Sequence, residues 1–443
     1  MEIRLSDHFD YRRLLRFTFP SMVMMLFSSV YGIVDGYFVA TFAGKTAFTA
    51  VNFIMPYVMI LGSFGCMLGT GGSALIGKLL GEQRKASANG VFSMLVHISF
   101  WLSVFIAAAG ILLVRPLAFW MGAKGEMLRL TVLYGRIVLA GLPFVMLEME
   151  FQSFFILAGK PKLGLLVTVL SGCANMVLDA LLVGVFSWGI AGAAAATVAS
   201  QLLAIVVAIV YFARPNSSLL RLGRFRFRLR ELWLASFNGS SEMISSLAMS
   251  AVGMLYNIQL LRFAGEDGLA VYGVLMYLAM IFMACFMGYS LGVAPVISFH
   301  FGAQNHNELK SLLRKSLTFI GVGSLLMVLA GEVLAGPLSV LIGGKEPELQ
   351  HLTKRAFAIF SLSFLFCGVP MFGSTFFTAL NDGLTSALIS FPRTLVFELL
   401  AILIMPMFWG VDGIWWSIVI AEVSATTLTT GFLWGKRNKF HYV

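Results

Sequence analysis

A chain of 443 residues that is 59% hydrophobic, 12% charged and has a mean hydropathy of +0.89 is not an ordinary soluble domain, where about a quarter of residues carry charge. Its composition is that of an all-α integral membrane protein. The formal net charge of +10 does not imply nucleic acid as a partner, because basic loops flanking apolar spans account for it.

The first apolar stretch, residues 17–40, carries Pro20 and Asp35. It lacks the short apolar core and small-residue cleavage site of a signal peptide, so it is predicted to remain as helix one. Stretches 48–76 and 91–114 follow, each able to cross a hydrocarbon layer that needs about 20 residues. Helix four, 131–157, contains Pro143, Glu148, Glu150 and Gln152; helix five, 163–185, contains Asn175 and Asp179; helix six is 189–212. A basic segment then interleaves Arg221, Arg224, Arg226, Arg228 and Arg230 with Phe225, Phe227 and Leu229, the pattern of a strap lying on anionic headgroups. The second half supplies 233–261, with Glu242 near its start, then 268–297, 315–335, 356–380, 386–408 and 413–434. Pro20, Pro143, Pro370, Pro392 and Pro406 fall inside spans and predict bends there. The expectation is twelve transmembrane helices in two pseudo-symmetric six-helix lobes: an N-terminal lobe 1–213, a basic cytoplasmic linker 214–231 and a C-terminal lobe 232–443.

Lys and Arg concentrate on one side of this arrangement: Arg4, Arg12, Arg13 and Arg16 before helix one, Lys78, Arg84 and Lys85 after helix two, the linker, Lys310, Arg314 and Lys315 before helix nine, and Lys436, Arg437 and Lys439 at the end. The positive-inside rule then predicts both termini in the cytoplasm. Cys66, Cys173, Cys285 and Cys367 lie within spans without metal-like spacing and are expected to be packing residues, with no disulfide framework. The histidines form no zinc-binding pair and no serine motif has its base nearby, so no enzyme and no cofactor is expected.

The two halves repeat. Phe42-Ala43-Gly44 recurs as Phe263-Ala264-Gly265 (263 − 42 = 221), and Trp188-Gly189 recurs as Trp409-Gly410 at the same offset. Gly81-Glu82-Gln83 matches Gly302-Ala303-Gln304 between them. Such a register implies duplication, with each half a control for the other. Gly65/Gly69 and Gly288/Gly292 give the same four-residue small-small spacing in helices two and eight, read as one packing role present in both lobes.

The repeat breaks at acidic positions. Asp35 stands opposite Tyr256, Asp179 opposite Leu400 or Ala401, and Asn175 opposite Val396 or Phe397. An ionisable group at bilayer depth costs at least a few kcal/mol and is tolerated mainly when it serves transport or has a partner. Asn175 and Asp179 are four apart, on one helix face, and that face can point at Asp35 if helices one and five are neighbours. Two carboxylates and an amide are hard oxygen ligands for a small cation, or hold a shared proton. Asp35, Asn175 and Asp179 are therefore the candidates for proton or cation coupling, and for metal binding if the ion is Na⁺. Glu148, Glu150, Gln152 and Glu242, which replaces Ser21 of the other half, are further candidates for substrate or coupling. Glu398 and Glu422 are read as partners of Arg393.

Val34-Asp35-Gly36 late in helix one, the Gly81-Glu82-Gln83 and Gly302-Ala303-Gln304 loops, and Asn238-Gly239-Ser240-Ser241-Glu242 at the start of helix seven resemble the multidrug and toxic-compound extrusion (MATE) transporters of the MOP flippase superfamily. The resemblance covers essentially the whole chain. It implies an inner-membrane antiporter that rocks two lobes to export bulky, often cationic compounds in exchange for H⁺ or Na⁺. Its partners would be small-molecule substrates and membrane lipids, and it would act as a monomer. Asp35 matches the family's helix-one acid, and Asn175 with Asp179 resemble the helix-five pair of a first-lobe cation site. The acid that one branch carries in helix ten has no counterpart in 356–380. A flippase for lipids or lipid-linked saccharides, from the same superfamily, is the alternative; its phosphate headgroups would call for cationic side chains, and the spans hold only Arg393 and, near an edge, Arg136. A channel is a third class, disfavoured by the broken symmetry.

Overall fold

The computed structural model describes residues 3–343 and 346–442. Ten helices are long and apolar enough to cross a membrane, and two bent pairs bring the number to twelve when each is counted as one span. They are α1 (Tyr11–Ala43), α2 (Lys45–Gly81), α3 (Lys85–Trp120), α4 (Gly125–Ala140 with Leu142–Leu157), α5 (Pro161–Val185), α6 (Gly189–Ala213), α7 (Leu229–Gly265), α8 (Val271–Gly302), α9 (His306–Val340), α10 (Pro347–Ser361 with Phe364–Ala379), α11 (Gly383–Trp409) and α12 (Val411–Gly435). Helices such as α2, with 37 residues, and α3, with 36, exceed their apolar stretches because backbone hydrogen bonding continues past the hydrocarbon layer into the loops.

The prolines do not all bend their helices. The halves of α4 meet at 53° where Pro143 opens the second half, as expected from a residue that removes one ladder hydrogen bond. The 41° bend in α10 lies between Ser361 and Phe364, upstream of Pro370, which sits inside a continuous segment. Pro20 is likewise inside uninterrupted helix. Pro392 begins a π-helical turn, Pro392–Phe397, and a second such turn, Ala180–Val185, follows Asp179 directly. Cys367 is buried, but Cys173 is exposed, so the packing role expected of all four cysteines does not hold there.

The repeated tripeptides fall on backbone that needs them. Gly44 and Gly265 have φ of 90° and 63°, and Gly189 and Gly410 have 57° and 56°, a region open to glycine and costly for most other residues. Gln83 and Gln304, at φ 62° and 56°, close the loops after α2 and α8 in the same left-handed conformation.

Lobe contact follows the same symmetry. In the half of the molecule that carries the chain termini, a Cβ on Gly77 would overlap Ser298 Oγ, one on Gly81 would overlap the Phe299 carbonyl, and one on Gly302 would overlap the Lys78 carbonyl. Gly292 lies against Thr18 of α1, where an added methyl would sit 3.0 Å from Thr18 Cβ, and the equivalent contact pairs Gly71 with Gly239, where a methyl on Gly71 would meet Gly239 N at 2.6 Å. Gly288 also faces α1, at 2.5 Å from Met22 Cα, whereas Gly65 and Gly69 face α4 of their own lobe, at 2.5 Å from the Met146 carbonyl and 2.9 Å from Glu150 Cα. The shared role read for Gly65/Gly69 and Gly288/Gly292 is thus replaced by two different ones. Their separation of 223 residues is two more than the repeat, and two residues turn a helix face by about 200°.

Two straps tie the lobes at this end. Residues preceding α1 cross to α9: Phe9 N donates to Glu308 Oε1 at 2.9 Å, His8 Nδ1 meets Glu308 Oε2 at 2.6 Å, and Lys315 Nζ donates to the Phe9 carbonyl. Leu5 and Phe9 are buried beneath. Residues preceding α7 cross to α3 in the same manner: Arg221 N donates to Asn89 Oδ1 at 3.0 Å and Gly223 N to Ser93 Oγ at 2.8 Å. The basic linker is therefore fastened to protein through its backbone, while Arg221 and Arg224 to Arg226 stay exposed.

Candidate functional site

The α1–α5 contact brings the first-lobe acids together. Gly172 of α5 faces Phe27 and Tyr31 of α1, where an added Cβ would lie 3.3 Å from Tyr31 Cδ1 and overlap the Phe27 ring. One and two turns further along α5 stand Asn175, 2% exposed, and Asp179, fully buried. The Asp179 and Asp35 carboxyls stand in each other's electrostatic field. Asp35 Oδ1, Asn175 Oδ1 and both Asp179 oxygens have no hydrogen-bond partner. Buried acceptors without donors are costly, and a proton or a small hard cation relieves that cost. The donor set, two carboxylates and an amide oxygen, fits either one. Among the described residues no group of three or more His, Cys, Asp or Glu is placed to hold a metal ion, so a multivalent site of that kind is not formed.

Two tyrosines that carry no signal in the sequence stand in the field of this pair. Tyr134 of α4, 1% exposed, is influenced by both Asp35 and Asp179, and Tyr31 by Asp35 and Glu148. Only the break of the repeat marks this region in sequence, and tyrosines on other helices carry no such mark.

The other candidates separate. Glu148 lies within reach of Ser171 on α5 and lines a small side pocket with Phe151, Gln152, Gly164 and Thr168. Glu150, two residues on, points away toward Ser99 of α3, is fully buried, and has both carboxylate oxygens unpartnered. Gln152 and Glu242 reach neither group exclusively: both line the principal cavity of about 320 Å³ between the lobes.

That cavity has an apolar, pliable wall with charge set into it. Met149, Met249, Met276 and Met283 are among its methionines, and Tyr256 and Tyr272 stack at 5.4 Å on one side. Flexible thioethers and aromatic faces suit occupants of varied shape. Glu242, Arg393, Glu398 and Glu422 all line it. Arg393 Nε donates to Glu422 Oε1 and Oε2 at 3.1 and 3.0 Å, and Nη2 donates to Oε1 at 2.7 Å. Asp35, Asn175 and Asp179 do not line this cavity. The oxygen cluster and the chamber between the lobes are distinct places in the molecule.

The sequence profile of the MatE family matches residues 20–181 and 242–404, one stretch in each lobe. The multidrug export protein MepA of Staphylococcus saprophyticus is 25% identical over 418 residues, covering 93% of this chain and 91% of that protein. MepA of Staphylococcus aureus is 24% identical over 414 residues, with 93% and 91% covered. Among solved structures, the outward-facing conformation of a multidrug resistance MATE transporter of the MOP superfamily superposes with a TM-score of 0.90 at 23% identity, covering 98% of this chain and 97% of the other. A MOP superfamily transporter from Pyrococcus furiosus, described as having a binding pocket of reverse polarity, superposes with a TM-score of 0.89 at 23% identity over 98% and 97% of the two chains. With one stretch matched in each lobe, together covering more than half of the chain, this sequence belongs to the MatE family of membrane transporters.

Proposed function

We propose that this protein is a secondary active exporter that moves bulky organic cations outward in exchange for H⁺ or Na⁺, from a bacterial plasma membrane and with both termini in the cytoplasm. The observation that carries this reading is the separation of two sites: buried oxygens without donors at Asp35, Asn175 and Asp179, and a methionine-lined cavity between the lobes whose carboxylates outnumber its single arginine. The first suits a coupling ion and the second an organic cation. The names of the MepA relatives, which are multidrug export proteins, support the same cargo class. With the termini cytoplasmic, the glycine contacts and straps close the inner end, so the arrangement corresponds to an outward-facing state, and rocking of the lobes would separate those contacts.

A flippase reading finds less support, because Arg393 is already neutralised by Glu422 and is not available to a phosphate headgroup. The decisive test is purified protein in liposomes with pH and Na⁺ gradients imposed separately. Counter-transport of a cationic dye driven by either gradient is expected. Dye movement unaffected by both would overturn the antiport reading.

A further inference from the structure

The cavity between the lobes carries three carboxylates and one guanidinium, and their arrangement is unequal. Arg393 of α11 grips Glu422 of α12 through three hydrogen bonds of 2.7–3.1 Å, with side chains only 13% and 6% exposed. Among the described residues, no hydrogen bond or salt bridge reaches the carboxylates of Glu242 and Glu398, which line the same chamber within the field of Arg393. Ser290 Oγ, on a side chain 3% exposed, also lines the chamber and has no partner. The wall thus offers two uncommitted acids and an idle hydroxyl, while a third acid is committed to the arginine.

We propose that the Arg393–Glu422 pair sets the charge of the cavity, and so determines how many positive charges an exported molecule carries. This rests on the export reading above. A buried ion pair gains little stability over an apolar replacement, and the repeat shows that one is not needed for the fold: Glu422 corresponds to Gln201 and Arg393 to Gly172 in the first lobe. What the pair does supply is a fixed offset to the charge of the two free acids. With Glu242 and Glu398 both ionised and Arg393 in place, the chamber holds an excess of two negative charges, met by a dication or by a monocation with one proton. Loss of Arg393 alone raises the excess to three. Loss of Glu422 alone frees the guanidinium, lowering the excess to one. Loss of both restores two. In a chamber of intermediate dielectric, one charge at about 8–12 Å changes a cation's affinity by roughly tenfold or more, and a dication feels twice the change of a monocation.

Two dyes with the same phenanthridinium ring system separate the outcomes: ethidium, with one positive charge, and propidium, with two. Their binding to detergent-purified full-length protein is measured by fluorescence for wild type, Arg393→Gln, Glu422→Gln and the double variant, each checked for a monodisperse elution profile. The propidium-to-ethidium affinity ratio is expected to rise roughly tenfold in Arg393→Gln, to fall by a similar factor in Glu422→Gln, and to return to the wild-type value in the double variant. If Arg393→Gln does not fold, the fall in Glu422→Gln and its reversal in the double variant still decide the question. A ratio unchanged in the single variants while wild type binds both dyes overturns the charge-setting role and leaves the export reading standing. Wild type binding neither dye overturns both.

Discussion

Gly77 packs against Ser298, and the two are each other's counterparts under the 221-residue repeat. Two residues that exchange places under a symmetry and also touch must lie beside its axis, so the pseudo-two-fold axis passes between α2 and α8 at this point. Gly81 and Gly302 obey the same rule one turn further out.

Gly81→Leu is therefore expected to drive the lobes apart at the end that carries the termini. An added Cβ would overlap the Phe299 carbonyl and lie 2.7 Å from Ala303 N; both are backbone atoms and cannot step aside. Overpacking of this kind costs about 1–3 kcal/mol, enough to lower the population of the arrangement by roughly tenfold. With native cysteines removed, the distance between spin labels on the exposed residues Arg84→Cys and Asn305→Cys, in the loops after α2 and α8, measures that population. A distance distribution unchanged by Gly81→Leu would show that this end does not open.

Much of the fold was legible because it rests on quantities the sequence displays directly: apolar length for the spans, and the 221-residue offset for the repeat. The matching tripeptides are legible for a physical reason as well, since Gly44/Gly265 and Gly189/Gly410 occupy positive-φ turns. Helix rotation was not legible. Gly65/Gly69 and Gly288/Gly292 share a spacing and differ in which way they face, and Glu148 and Glu150 look alike in sequence yet enter different surroundings. The first-lobe trio could be assembled because a four-residue spacing fixes a face. Arg393 and Glu422 were readable as partners by charge, but their place on the cavity wall depends on how two helices turn toward a third, which no local pattern encodes.

The strap before α1 depends on Glu308, whose buried carboxylate receives both Phe9 N and His8. Glu308→Ala removes the acceptor and leaves Phe9 N without a partner, a loss of about 1–3 kcal/mol. Residues 3–10 should then detach, freeing the backbone after the exposed Arg4, now held by the buried Leu5, for cleavage by trypsin in the folded protein. The equivalent strap on α3 has no charged acceptor, so Asn89→Ala is expected to loosen residues 220–228 less. N-terminal cleavage no faster in Glu308→Ala than in wild type would mean that burial of Leu5 and Phe9 holds the segment alone.

Asp382, in the turn before α11, gives a pH-dependent contribution to stability. Burial works against its ionised form, but hydrogen bonds from Lys436 (2.7 Å) and Thr385 (2.9 Å) and the charge of Lys439 outweigh it and hold the carboxyl below its ordinary value. A depressed carboxyl contributes fully above its unfolded pKa, about 3.9, and the contribution is lost as pH falls through the folded value. Asp382→Asn should thus lower Tm at pH 7, and the gap to wild type should close below about pH 4. A Tm gap that stays constant from pH 7 down to pH 3 would assign the effect to shape, not to charge.

The first-lobe acids make the sharpest demand on ion coupling. Asp35→Asn keeps the size of the side chain and removes its charge, so insertion and folding are expected to survive while gradient-driven export falls to background. Asp179→Asn and Asn175→Ala should alter the ion dependence of transport more than the affinity for substrate, since neither residue lines the substrate-sized cavity. Two mechanisms then diverge. If Asp35 and Asp179 share a proton, the pH midpoint of transport moves when either is neutralised, because the titration belongs to the pair. If the oxygens hold Na⁺, wild-type Tm rises with Na⁺ concentration, by mass action on the folded state, and that rise disappears in Asp179→Asn and Asn175→Ala. Melting curves against Na⁺ at several pH values, run on wild type and the three variants, separate the cases. Identical ion and pH responses in all four proteins would remove these residues from the coupling site and make Glu148, Glu150 and Glu242 the next candidates.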